Sequence, residues 1–229
     1  MTHADEPADT RMMAIVHGAL LRDLARARGV LAAATPPTGD QRRAVGEHVV
    51  WMMDFLHAHH TGEDEGLWPD LVARNPDAAA LVESLEADHA HIAPAAHTVS
   101  VTAGAYATTT DDASRLAMSE ALEQLDAVLA PHLAREVAEA MPVVAASLTR
   151  LEWETREQKN NIKGKSTRQL ALEGHWLLDG LDPEGRDVVE HLVPFIPRLV
   201  LVYGFAGMYR RRAAACWSPV VPAPQALVR

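Results

Sequence analysis

The stretch Val45-Gly46-Glu47-His48-Val49-Val50-Trp51-Met52-Met53-Asp54-Phe55-Leu56-His57-Ala58-His59-His60-Thr61-Gly62-Glu63 decides the fold. Its apolar residues Val45, Val49, Met52 and Leu56 step alternately by four and three, and the stepping continues onto His59 and Glu63. Such steps keep side chains on one face of an α-helix. An imidazole and a carboxylate are therefore expected on the buried stripe, one turn apart. Neither belongs there unless something binds it.

Working outward, Met118, Leu122, Leu125, Leu129, His132 and Glu136 repeat this pattern. Val82, Leu85, His89, Ile92, Ala96 and Val99 form a third stripe, and Met13, His17, Leu20 and Leu24 a first. A lone histidine on an apolar stripe is more often a satisfied core residue than a ligand. Here four helices each carry one, and in two His-x-x-x-Glu pairs the β-carbons lie about 6 Å apart. The set points to a metal site with ligands His17, His59, Glu63, His89, His132 and Glu136. Imidazole with carboxylate suits iron, with manganese and zinc as alternatives.

Other histidines fit less well. His57 and His60 share a flanking stripe with Met53 and Asp64, which creates a rival His60–Asp64 pair. The apolar stripe favours His59–Glu63, so loss of His60 or Asp64 is expected to spare the metal. His91 and His97 fall on outer faces, His48 has no partner on the stripe, and His175 and His191 are assigned structural roles. A ferritin-like site would need Glu-x-x-His on two helices. Only Glu86–His89 matches, and Glu86 is off the stripe. The His-Glu-x-x-His of zinc proteases is absent.

The 229 residues are 48% hydrophobic and only 5% aromatic, which suits small-residue helix packing. A net charge of −10 argues against a nucleic-acid surface. One cysteine, Cys216, excludes an internal disulfide. The first seven residues lack the features of a signal peptide. The longest apolar run, Leu192 to Met208, is broken by Pro194, Pro197 and Arg198, too interrupted for a membrane span. A cytoplasmic protein without membrane partners is expected.

Proline and capping residues predict helices over Thr10–Ala34, from Thr38 or Asp40 to near Gly66 with Pro69 beyond, from Asn75-Pro76 to about Thr108, and from Asp112 to Leu148. Kinks are expected at Pro94 and Pro131. The predicted fold is all-α: an up-down-up-down four-helix bundle over residues 1–151. A polar linker, 152–168, and a helical extension with a frayed tail, 169–229, follow. Three short helices are expected in that extension, packed on the bundle or across a homodimer interface. There His175, Trp176 or Tyr203 would shape access to the metals.

The pattern His17, His59-x-x-x-Glu63, His89, His132-x-x-x-Glu136, with the stretch His59 to Pro69, resembles the hemerythrin-like (HHE cation-binding) family over roughly residues 10–150. The resemblance implies two irons joined by an oxo or hydroxo bridge. His17 and His59 would hold one, His89 and His132 the other, and Glu63 and Glu136 would bridge them. Oxygen-carrying members add a histidine one turn after the third-helix one, where this chain has Ala93. They also space the fourth-helix carboxylate five residues on, where it has Val137. The match is to a four-histidine branch, whose two metals both keep open positions. The implied activity is reaction with O2, H2O2 or NO, as a peroxidase, catalase-like protein or oxidase, rather than reversible oxygen carriage. Two alternatives stay open: a sensor or store of O2, NO or iron with the C-terminal helices as output, and a purely structural metal.

Overall fold

The computed structural model describes residues 5–35, 37–191 and 205–218. It is all-helical, with α1 (Arg11–Leu31), α2 (Gly39–Gly62), α3 (Trp68–Arg74), α4 (Ala79–Thr108), α5 (Asp112–Arg135), α6 (Met141–Ser147), α7 (Arg150–Glu157), α8 (Thr167–Leu178), α9 (Pro183–His191) and α10 (Ala206–Trp217). Thr38 and Asp111 start α2 and α5 by accepting hydrogen bonds from the backbone N–H of Gln41 and Ser114. α1 packs on α2 and α5, α2 on α4, and α4 on α5, which closes the expected four-helix bundle. Gly46 permits the close approach of α2 to α4: a β-carbon there would lie 2.5 Å from the Ala103 carbonyl oxygen.

Pro69 does not end the second helix. A π turn, Glu63–Leu67, carries it into α3, with the Trp68 N–H donating to the Glu63 carbonyl. The fourth helix does the same through Glu136–Ala140 into α6, with the Met141 N–H donating to Glu136 and Pro142 next in line. A proline in a regular helix clashes with the carbonyl four residues back, and a widened turn relieves that clash. Each π turn starts at the glutamate of a His-x-x-x-Glu pair. The repeat thus extends from each histidine to the proline six residues past the glutamate, further than the pairs alone suggested. α4 and α5 continue as helix through Pro94 and Pro131.

Two apolar cores fill the bundle, and a smaller third cluster, Met12, Ile15, Leu178 and Val189, joins α1 to the extension. One contains Leu20, Leu24, Val49, Met52, Leu56, Ile92, Leu125 and Leu129. The other contains Met13, Trp68, Leu71, Val82, Leu85, Met141 and Val144. His17, His59, His89 and His132 lie in sequence between the residues of the two, so the polar cluster divides the bundle.

The predicted linker is not an open tether. α7 is held by a capping box on Thr149 and Glu152, and its Trp153 is buried in the second core. Arg156 reaches back to Asp70, and Lys165 pairs with Glu173 at 2.7 Å. These long-range contacts were invisible in a local excess of basic residues. Beyond it, Trp176 of α8 packs edge-on against Trp51 and Phe55 of α2. Its indole N–H donates to Asp23, which also accepts from Arg22 and Arg26 and lies 2.8 Å from His48 Nε2. Arg212 of α10 donates to His48 Nδ1, and Tyr209 and Arg26 both donate to Asp179. His48 is therefore buried and partnered, through residues distant in sequence that the local reading could not supply. Of the last expected helix of the extension, Pro197 to about Trp217, the structure describes Ala206–Trp217, while its residues before 205, Tyr203 among them, and the frayed tail lie outside the described residues. Among the described residues no helix is long and apolar enough to cross a membrane.

Candidate metal centre

All six expected ligands converge. His17 Nε2 lies 3.2 Å from His59 Nε2, and His89 Nε2 lies 3.1 Å from His132 Nε2. Glu63 reaches both histidine pairs, with Oε1 at 3.1 Å from His59 and Oε2 at 3.7 Å from His89. Glu136 Oε2 also faces both, at 3.4 Å from His17 and 3.8 Å from His132. His17, Glu63, His89, His132 and Glu136 are buried, while His59 keeps 12% of its side chain exposed.

Two of the histidines are oriented by carboxylates. Asp64 Oδ1 lies 2.7 Å from His89 Nδ1, and Asp88 Oδ2 lies 3.3 Å from His132 Nδ1, itself fixed by Arg135 at 2.7 Å. A carboxylate on Nδ1 selects the tautomer that leaves Nε2 with a free lone pair, the usual outer support of a metal-binding imidazole. The sequence assigned Asp64 to a rival ligand pair; the structure makes it His89's orienting partner instead.

His60 is the residue that sequence reasoning missed. It is buried rather than flanking, its ring lies 4.0 Å from that of His89 at 10°, and its Nε2 has no hydrogen-bond partner. The ring nitrogens of His60, His89 and His132 come close enough to form a second ligand cluster beside His17, His59, Glu63 and Glu136. From Leu56 the positions three and four residues on, His59 and His60, both face inward, because α2 touches α1 on one side and α4 on the other. The four-three stepping admitted only one of them. His91 and His97 are exposed, as expected. Ala93 is exposed too, in a groove that it shares with His60 and His89.

The electrostatics suit a cation. Burial pushes the Glu63 carboxyl well above its ordinary range, and the adjacent Glu136 charge adds to this. Burial likewise raises Glu136 to about 8. Burial lowers His17 well below its ordinary value, His59 to about 3 and His132 to about 4, and mutual repulsion reinforces this. These three imidazoles are therefore held neutral, the protonation state that binds metal. All four oxygens of Glu63 and Glu136 are buried without a hydrogen bond from the protein. Unsatisfied buried carboxylates are costly, and a cation between them satisfies both. The residues fit the metal.

A model of the hemerythrin HHE cation-binding domain matches residues 9–145. The chain belongs to that family, and its domain implies metal-ion binding. No curated protein and no solved structure matched the chain.

Proposed function

We propose that the chain holds two iron ions and is a non-haem di-iron protein that reacts with O2, H2O2 or NO. The observation that carries this reading is Glu63, whose two oxygens face histidines of different pairs. One carboxylate that faces two imidazole clusters is suited to bridge two ions. Glu136 faces the same two pairs from the opposite helix, through a single oxygen. His17 and His59 would hold one ion and His89 and His132 the other, with His60 beside the second.

Bound there, two irons supply one- and two-electron redox chemistry towards small oxygen and nitrogen species. The chain's own residues do the rest. Asp64 and Asp88 hold the His89 and His132 rings in register, and the two cores keep bulk water from the carboxylates. The partly exposed His59 marks the side from which small molecules enter. With His60 counted, imidazoles crowd the His89 end, so the His17/His59 end is the more open one. The expectation of open positions on both metals is thereby narrowed to favour the first.

Metal analysis of protein reconstituted with ferrous iron, followed by optical spectra and a peroxide-consumption assay, tests the proposal. Two irons per chain and measurable consumption of H2O2 are expected. A content near one or zero, or a stable O2 complex that releases O2 unchanged under vacuum, would overturn it. A sensor reading rests on a different observation: the His59 ring stacks on Phe55, which meets Trp176 of the extension. That contact links the site to α8. A sensor would show ligand-dependent proteolysis of residues 150–218 without turnover.

A further inference from the structure

A cavity of about 440 Å³ opens beside His59 and Glu63. O2, H2O2 and NO are hardly larger than a water molecule, whereas cavities of roughly 300–1,000 Å³ hold organic ligands. One wall comes from the bundle, through Met12, Val16 and Phe55. The facing wall comes wholly from residues after 145, beyond the family domain, including Ile162, Leu170 and Leu177. Domain chemistry alone does not call for such a wall.

Several charged groups in this wall are already engaged. Lys165 is paired with Glu173, Arg156 with Asp70, and Glu157 accepts from the Asn161 amide. Burial also raises the Glu157 carboxyl, which favours its uncharged form. Among the described residues, the lysine and arginine that line the cavity, Lys165 and Arg156, are thus both in ion pairs and neither is left to capture a carboxylate or phosphate. Two glycines, Gly62 and Gly174, line the space, and a β-carbon added at either meets no atom within 4 Å. Glycine within α8 weakens the helix, and no neighbour demands it there. Its effect is to keep the cavity open.

We infer that this cavity binds a neutral, mostly apolar organic molecule, seated against His59 and Glu63 and enclosed by the C-terminal extension. Binding itself rests on the cavity; only its contact with a metal rests on the di-iron reading. In that case the molecule is a candidate co-substrate, and the extension sets the specificity of the site.

The test uses N-phenyl-1-naphthylamine, a neutral fluorophore that brightens out of water, titrated into full-length protein with and without iron. Saturable binding near one per chain is expected in both forms. Decanol should displace the probe and decanoate should do so at least tenfold less well. Gly174→Phe fills the cavity and should weaken binding at least tenfold, while Gly174→Ala retains it. In iron-loaded protein, decanol should shift the near-ultraviolet absorption. No saturable binding, equal binding in a Gly174→Phe variant with unchanged circular dichroism, or preferential displacement by decanoate would overturn the inference. An unshifted iron spectrum would overturn its placement against His59 and Glu63. Failure to load iron would defeat the di-iron reading alone, because the metal-free titration stands without it.

Discussion

Glu63 and His60 occupy the same turn of one helix yet make different demands on the site. Glu63 faces both histidine pairs, so Glu63→Ala should cost affinity at both ions, and metal content after dialysis should fall below one per chain. His60 lies nearest His89 and His132, with ring centroids 4.0 and 5.3 Å away, and the His59 ring is farther off at 5.7 Å. His60→Ala should therefore weaken one ion and leave about one tightly held. Asp64→Ala acts through the His89 ring, and loss of such an outer partner weakens metal binding by roughly 10–100-fold. Inductively coupled plasma analysis against a graded chelator checks all three. Full retention of both ions in His60→Ala would return that residue to the flanking role read from the sequence. The six proposed ligands were legible because each continues an apolar stripe. His60 and Asp64 were misread because a one-dimensional stepping cannot show a helix that buries two faces at once.

Helix packing was legible to the same extent. The four bundle helices followed from periodicity and capping, whereas the π turns at Glu63–Leu67 and Glu136–Ala140 did not. Pro69 and Pro142 have opposite local meanings, stop or first turn, and only the widened turn before each decides between them. Glycines make the same point energetically. Gly46→Ala gains helix propensity of at most about 1 kcal/mol but drives a methyl into the Ala103 carbonyl and the Ala107 side chain. Overpacking costs about 1–3 kcal/mol, so the net effect should be a loss. Gly174→Ala meets nothing and should stabilise by about 0.5–1 kcal/mol. Chemical denaturation of the two variants should give shifts of opposite sign; shifts of one sign would mean that the α2–α4 contact is looser than described.

At the scale of the whole molecule, the extension is joined to the bundle through Asp23. This carboxylate is fully buried on α1, yet it takes hydrogen bonds from α2 and α8 as well as from its own helix. Nothing in the local pattern around Arg22-Asp23 announced this role, because every partner beyond Arg26 is remote in sequence. Burial alone would raise the Asp23 carboxyl, but the His48 hydrogen bond and the Arg22 charge outweigh it and hold it well below its ordinary 3.8. A depressed carboxyl contributes stability that is fully present above the unfolded value and is lost as pH falls through the folded one. Asp23→Asn leaves Arg22 and Arg26 buried without their shared anion, a class of change that costs about 3–5 kcal/mol. The difference in unfolding free energy between wild type and Asp23→Asn should therefore persist from neutral pH down to about 4, and His48, which loses the raising effect of Asp23 in the variant, can only widen it. Below 3.8 it should shrink as the unfolded carboxyl takes up protons. Urea melts across this range, read both by tryptophan fluorescence and by proteolysis of the extension, measure it. A difference that disappears by pH 6 would mean that His48, not Asp23, carries the junction.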